Sequence, residues 1–590
     1  MRPQQAKALA LTFPAPAPFP APRRGATRLP RESSCPGEGQ PMSTREWWRD
    51  AVIYQIYPRS FQDSTGDGVG DLPGITRRLP HVAELGADAI WLSPIFASPM
   101  DDMGYDVSNY TDIDPLFGTL ADFDALIARA HDLGLKVIVD QVLSHTSSKH
   151  PFFEESRASR DNHKADWYVW ADPKPDGSPP NNWASVFGGS AWEWEPRRRQ
   201  YYLHNFLVSQ PDLNFHNPDV QDWLLSTMQF WLDRGLDGFR LDTVNFYFHN
   251  AALPDNPPGE FDMTNPAATP ADTYGWQAHV HDKTQPENIA FLEKMRALCE
   301  RYDDIMMVGE VGEDGDKSIH TMAEYTRGQD RLHMAYSFAM LSPDFTAQHF
   351  RDNVAHFLED APDGWPKWSF SNHDVVRHVT RWSAHARDPE ALARQAVALL
   401  MAFPGTIGIY QGEELGQTET ELTYSELTDP PALRFWPEIK GRDGCRTPMV
   451  WEAGAPHGGF STGTPWLPVK PPQAARAVDS QSGPDSILSA YKSAIAYRRG
   501  SEALRLGATT FLELPEPFLA MRRSAPEQTL TCVFNLSPAP RTLTLDGSAT
   551  IDGPHHAGRI EGRILELPAN GYVYLAHQGD LHLSPGPEHD

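Results

Sequence analysis

Eight short apolar runs recur along the chain: Val52–Pro58, Ala89–Pro94, Lys136–Val142, Gly238–Val244, Met306–Val311, Met334–Met340, Trp368–Asp374 and Thr406–Tyr410. They are continuous rather than alternating, which suits strands buried on both faces. Between them lie amphipathic segments of helical period such as Asp122–Leu133 and Val220–Asp233. Strands and helices in this alternation predict an α/β chain, a (β/α)8 TIM barrel over 45–144 and 215–507. The uneven spacing predicts two additions, an insertion over 145–214 after the third strand and a subdomain over 416–472 after the eighth. After a last helix, Asp485–Gly507, the period drops to two. The runs Thr510–Leu514, Leu519–Arg522, Leu530–Asn535, Thr542–Leu545 and Gly571–Ala576 predict a C-terminal antiparallel β-sandwich over 508–577. The polar stretch 578–590 reads as a flexible tail.

Residues 1–44 break the pattern. Pro14, Pro16, Pro18, Pro20 and Pro22 cut short the one apolar segment that could start a secretory signal. The stretch reads as unpacked, with Met42 as the expected natural start and a flexible arm as the alternative.

Three of the predicted strands lead to a carboxylate: Gly238-Phe-Arg-Leu-Asp242, Val308-Gly-Glu310 and Asn372-His-Asp374. In a barrel the chemistry sits at the carboxyl ends of the strands. A nucleophile, a proton donor and a group that steadies a charged sugar ring are what glycoside cleavage requires. Arg240 and Asp242 lie two apart and share a face. The arginine is expected to lower the Asp242 pKa and keep it ionised; the alternative is a structural ion pair. Glu310 follows an apolar stretch that raises a carboxyl pKa, as a general acid needs, with Glu313 as its competitor. Asp374, between His373 and Arg377, is expected to stay ionised, or else merely to cap a loop.

The run Asp63-Ser-Thr65-Gly-Asp67-Gly68-Val69-Gly-Asp71 places oxygen side chains at alternate positions, as hard-cation loops do. Gly74 stands where an EF-hand needs its bidentate acid. The expectation is therefore a structural calcium or magnesium loop of another kind, with the Val69 carbonyl as one ligand; a metal-free turn is the alternative. Trp167, Trp170, Trp183, Trp192 and Trp194 either fill the core of the insertion or stack on sugar rings, the core being favoured.

Composition narrows the partners. The 590 residues are 40% hydrophobic and 22% charged, an ordinary globular balance. A net charge of −27 disfavours nucleic acid and anionic lipid. Cys35, Cys299, Cys445 and Cys532 have no pairing pattern, which suits free thiols and a cytoplasmic location. No apolar run is long enough for a membrane span.

From about Glu46 to His577 the chain resembles glycoside hydrolase family 13, the α-amylase superfamily. Asp140-Gln-Val-Leu-Ser-His145, the stretches ending in Asp242 and Glu310, and Phe370-Ser-Asn-His-Asp374 resemble its four ordered regions. Gln210-Pro-Asp-Leu-Asn214, Gly104-Tyr-Asp-Val107 and Arg446-Thr-Pro-Met-Val-Trp451 resemble the α-glucosidase and oligo-1,6-glucosidase branch. The resemblance implies Asp242 as nucleophile, Glu310 as acid/base and Asp374 as transition-state stabiliser. It implies a terminal-glucose pocket of Tyr105, Asp106, His145, Arg240, His373 and Arg446. It also implies a calcium or magnesium site of Asp63, Thr65, Asp67, Val69 and Asp71, with no organic cofactor. Ser144 departs from the family's Asn, which binds an interdomain calcium in amylases, and this speaks against that metal site here. Thr243, after the nucleophile, resembles enzymes that cut α-1,4 rather than α-1,6 bonds, and Val244-Asn-Phe-Tyr-Phe-His249 resembles glucose-transferring bacterial α-glucosidases. The implied activity is retaining, exo-acting release of glucose from short α-1,4 glucosides such as maltose, with transfer to alcohols. An isomaltase or a sucrose- or trehalose-acting enzyme is the alternative. The implied partner is a small neutral oligosaccharide, and the expected state a monomer or homodimer. A non-catalytic transporter-associated relative would need a membrane helix.

Overall fold

A computed structural model describes residues 46–261, 272–313 and 315–586. The expected start at Met42 lies outside the described residues. The eight predicted runs are strands β1 (Val52–Ile56), β2 (Ala89–Leu92), β3 (Lys136–Gln141), β4 (Gly238–Leu241), β5 (Met306–Val311), β6 (Met334–Ser337), β7 (Lys367–Ser369) and β8 (Thr406–Tyr410). They form one parallel sheet in the order β6-β5-β4-β3-β2-β1-β8-β7. A parallel bridge between Ala335 and Pro366 joins its ends. The result is the (β/α)8 barrel. Several strands stop short of their apolar runs, β7 most of all: the chain from Phe370 onward leaves the sheet and carries Asp374 on a loop.

The helices follow from caps and stripes. Leu72–Leu85 starts where the Asp71 side chain accepts the Gly74 amide and ends at Gly86 in a left-handed turn. Its Leu72, Ile75, Leu79 and Val82 face the sheet at helical spacing. Leu120–Asp132 opens with a Thr119–Asp122 capping box, and Pro218–Asp233 with Asn217 and a proline at its first position.

The insertion after β3 contains the helix Pro151–Ala158 and a three-stranded antiparallel sheet of Trp170–Ala171, Gln200–Leu203 and Trp192–Glu195. Trp167, Trp183 and Trp192 are buried and Trp170 partly so, while Trp194 is exposed against Tyr201. None of the five lines the cavity that holds Asp242, Glu310 and Asp374, so the tryptophans serve chiefly to fill this subdomain.

The C-terminal region is two antiparallel sheets, of five and four strands, packed over Phe518, Val533, Leu543, Leu565 and Val573. One expectation needs correction. The segment read as a flexible tail contains the strand His582–Pro585, paired with Arg541–Asp546. Leu581 is fully buried and Leu583 packs on the same core, so two leucines at period two anchor it.

Candidate active site

Strand register assembles the site. Asp140 on β3 lies opposite Arg240 on β4, and Glu310 on β5 lies opposite Tyr336 on β6. The fully buried Arg240 guanidinium is shared by three acids. Its Nη1 donates to Asp140 Oδ1 at 2.7 Å and to Asp242 Oδ1 at 2.6 Å. Its Nη2 pairs with Glu310 Oε1 at 2.5 Å. Nε and Nη2 also donate to the Tyr336 hydroxyl at 3.1 and 3.0 Å, and that hydroxyl donates to Glu310 Oε1 at 3.0 Å.

One cation cannot hold three buried carboxyls ionised. Burial, opposed by Arg240, pushes Asp140 up to about 6 and Asp242 and Glu310 up to about 7. For Asp242 this reverses the expectation from its arginine neighbour, because desolvation and the neighbouring acids outweigh a shared charge. The cluster thus keeps a proton near neutrality, and its titration steps belong to the group rather than to one residue. Beside it, burial pushes the Lys367 amine down to about 7; its Nζ donates to Ser369 Oγ at 2.8 Å and sits 4.3 Å from the Tyr336 ring centre.

Asp374 is the opposite case. Burial raises its pKa, but His373, Arg442 and Arg446 outweigh burial and hold it well below the usual carboxylate range. Arg446 Nη2 and Arg442 Nη1 reach its Oδ1 at 3.0 and 3.3 Å, and His373 Nε2 reaches Oδ2 at 3.2 Å. Arg377, the expected basic flank, instead donates to the carbonyls of Gln411 and Cys445. Gln55 Nε2 donates to His373 Nδ1 at 2.8 Å, which places the imidazole proton on Nε2. Tyr105 stacks on His373 with ring centres 5.4 Å apart, contacts its Nε2, and donates to Asp140 Oδ2 at 3.0 Å.

These groups surround a cavity of about 220 Å³. Tyr105, His145, Asp242, Thr243, Glu310 and Asp374 line it. Arg240, His373 and Arg446 stand behind that lining and hold the acids. Asp106 does not line it: its carboxylate accepts from Ser98 Oγ and the amides of Asp101 and Asp102, at 2.9 to 3.0 Å. It shapes the loop that presents Asp102 and Tyr105. Glu313 is also in the wall, 3.5 Å from Lys283, and outside the Arg240 cluster.

Asp102 and Arg442 escaped the sequence reading. Arg442 Nη2 binds Asp102 Oδ1 at 2.9 Å and Asp429 Oδ1 at 2.7 Å, across the cavity. Asp102 lies just before the Gly104-Tyr105 motif and Arg442 just before Arg446, the one signal that pointed to them. Phe187, Phe206, Phe246, Val376 and Phe435 make much of the remaining wall apolar. Overhead the two insertions touch. Gly188, at φ +92°, approaches Phe435 so closely that a Cβ there would lie 2.6 Å from the ring.

The Asp63–Asp71 loop meets a different segment. Asp63 Oδ1 accepts the Thr65 and Gly66 amides at 2.8 and 2.7 Å, and Oδ2 accepts the Gly68 amide at 2.8 Å and the Ser461 hydroxyl at 2.5 Å. Although burial raises its pKa, these bonds bring it below the ordinary value. Asp71 caps a helix, and Asp67 Oδ1 accepts the Val69 amide at 2.9 Å. Among the described residues no three His, Cys, Asp or Glu side chains are arranged to share an ion. As placed, Asp63 and Asp67 accept amides of their own turn, Asp63 also takes the Ser461 hydroxyl, and Asp71 serves the helix that follows.

The raised carboxyls set a pH dependence. A reaction that needs one of these carboxyls ionised and another protonated should have a kcat/KM that falls on both sides of about pH 7. A pH–rate profile checks this. With a substrate whose leaving group needs no proton, the alkaline limb should disappear from the first chemical step; an unchanged limb would contradict a protonated carboxyl as the acid.

Comparison with known proteins identifies the family. The family model for the α-amylase catalytic domain matches residues 55–507. A probable alpha-glucosidase of Rhizobium meliloti (strain 1021) is 55% identical over 90% of this chain and 97% of its own length. An oligo-1,6-glucosidase of Heyndrickxia coagulans is 37% identical over 83% and 92%. The crystal structure of the alpha-glucosyl transfer enzyme XgtA superposes with a TM-score of 0.87 at 52% identity, covering 90% of this chain and 99% of that one. With a matched catalytic domain, a closed barrel and three acids at its mouth, the chain belongs to glycoside hydrolase family 13, the α-amylase family, in its α-glucosidase and oligo-1,6-glucosidase branch.

Proposed function

We propose that this protein is a retaining, exo-acting α-glucosidase that releases glucose from the non-reducing end of short α-1,4 glucosides such as maltose. The observation that carries the reading is the single Arg240 guanidinium spanning Asp242 and Glu310. It draws the two carboxyls together, as double displacement needs. Asp242 Oδ1 is taken by Arg240, which leaves Oδ2 to attack the anomeric carbon. Glu310 Oε1 receives Arg240 and Tyr336, so the proton for the leaving oxygen rests on Oε2. The bond between the anomeric carbon and the leaving oxygen breaks as that oxygen takes the Glu310 proton, and a covalent glucosyl-enzyme forms on Asp242 Oδ2. Water or an alcohol then attacks, with Glu310 as base. Asp374, held ionised, stabilises the positive charge on the ring.

Exo action is supported by the contact of the two insertions over a small cavity, which leaves little room for a chain running through. The apolar walls suit alcohol acceptors, which supports transfer beside hydrolysis. Thr243 supports α-1,4 over α-1,6 cleavage. Glucose release from maltose and isomaltose in parallel tests the linkage: faster maltose cleavage with new glucosides is expected, and faster isomaltose cleavage overturns it.

Two further parts belong to the proposal. For the Asp63–Asp71 loop a bound calcium or magnesium ion would have to take up lone pairs beside the amides already there. A chelator should then lower the thermal midpoint, with either ion restoring it; an indifferent midpoint assigns the loop to a metal-free turn. A cytoplasmic location is supported by Cys299, Cys445 and Cys532, all buried and unpaired; secretion of the protein from its native host would exclude it. No helix among the described residues is long and apolar enough to cross a membrane.

A further inference from the structure

Ser144, just past the end of the third barrel strand's apolar run, lies beside Thr243, the residue after the proposed nucleophile. Its buried hydroxyl is 2.9 Å from His145 Nδ1 and 3.1 Å from Thr243 Oγ1. Thr243 in turn touches both catalytic carboxyls: its amide donates to Glu310 Oε2 at 3.2 Å and its hydroxyl to Asp242 Oδ2 at 3.3 Å. To do so it adopts φ 39°, ψ 50°, a left-handed conformation that a β-branched residue rarely takes.

The protons can be assigned. His145 Nε2 lies 2.9 Å from the Tyr105 carbonyl, which only accepts, and 3.1 Å from Gln210 Nε2, whose amide hydrogens also serve Asp102 Oδ2 at 3.1 Å; the shorter contact, to the carbonyl, places the hydrogen on Nε2. Nδ1 is then an acceptor, and Ser144 donates to it. The Ser144 oxygen is left to accept from Thr243. The Thr243 hydroxyl therefore has one proton and two acceptors, Ser144 Oγ and Asp242 Oδ2. Oδ2 is the oxygen that Arg240 leaves free.

We propose that Ser144 is a positioning residue that takes over the Thr243 hydrogen bond during glucosylation. In the free enzyme the Thr243 proton steadies Asp242 Oδ2. As Oδ2 forms its bond to the anomeric carbon and the leaving oxygen takes the Glu310 proton, the lone pair on Oδ2 is withdrawn. The Thr243 hydroxyl then turns to Ser144, with no proton transferred between them. Ser144 also keeps the strained Thr243 in place from the β3 side of the barrel. An Asn at this position would offer a longer amide in place of a hydroxyl bridge between His145 and Thr243.

A double-mutant cycle tests this. Ser144→Ala should lower kcat/KM for maltose about fivefold, the worth of one hydrogen bond, and Ser144→Thr, which keeps the hydroxyl, should restore most of it. In a Thr243→Val background Ser144→Ala should cost clearly less, only what its bond to His145 contributes. An aryl α-glucoside reads the same step if that background is slow on maltose. A loss of the same factor in both backgrounds, as a purely structural role would give, overturns the proposal, as does an unchanged Ser144→Ala variant. The inference rests on Asp242 as nucleophile; that reading would fail through an active Asp242→Asn enzyme, whereas this one fails through additivity in the cycle.

Discussion

Replacing Arg240 with Leu should destabilise the protein by about 3–5 kcal/mol at neutral pH, the cost of leaving buried charges without their partner. The residue is fully buried and its guanidinium touches Asp140, Asp242, Glu310 and Tyr336. Without it the three carboxyls face one another in a low-dielectric space and must bind protons to stay folded. The sign with pH follows. Their folded pKa values already lie above the unfolded ones, and losing the cation raises them further. The folded variant then binds more protons than the unfolded chain, so its stability falls as pH rises. The loss relative to the parent should accordingly be smaller at about pH 5 than at about pH 7. Denaturant titrations of both proteins at the two pH values measure it. Equal losses would mean that Arg240 contributes packing rather than charge.

Much of the scaffold was legible because parallel barrel strands are buried on both faces and print themselves as unbroken apolar runs. Their ends were not legible. Phe370 and Val244 continue the apolar pattern although β7 and β4 have ended, since they pack in the loops above the sheet. The strand at His582–Pro585 was missed because two leucines among polar residues carry too weak an alternation.

At the site, motifs marked the three acids together with Tyr105 and His145 of the cavity wall, but not their electrostatics. Arg240 is visible two residues before Asp242; that Asp140 and Glu310 share it depends on register between strands far apart in sequence. Asp374 shows the converse. Arg377 is near in sequence and turns away to carbonyls, whereas Arg442 and Arg446 arrive from the insertion after β8. Asp106 belongs to the same motif as Tyr105, yet its carboxylate turns to the Ser98 hydroxyl and the Asp101 and Asp102 amides, and Asp102 takes the place at the cavity wall. Tyr336 sits on a predicted strand with nothing in the sequence to mark its bond to Glu310.

The central claim is that Asp242 carries the glucosyl group, and one variant tests it most directly. Asp242→Asn keeps the size of the side chain but removes the charge that attacks. Turnover of maltose should fall by roughly 10⁴-fold or more, as it does when a nucleophile is removed. The fold should survive, because the substitution relieves one of three acids competing for Arg240. The measurement is the steady-state rate of Asp242→Asn on maltose beside its thermal midpoint. A rate lost with the midpoint kept or raised is what the geometry predicts; a rate near that of the parent would contradict the assignment of Asp242 as nucleophile.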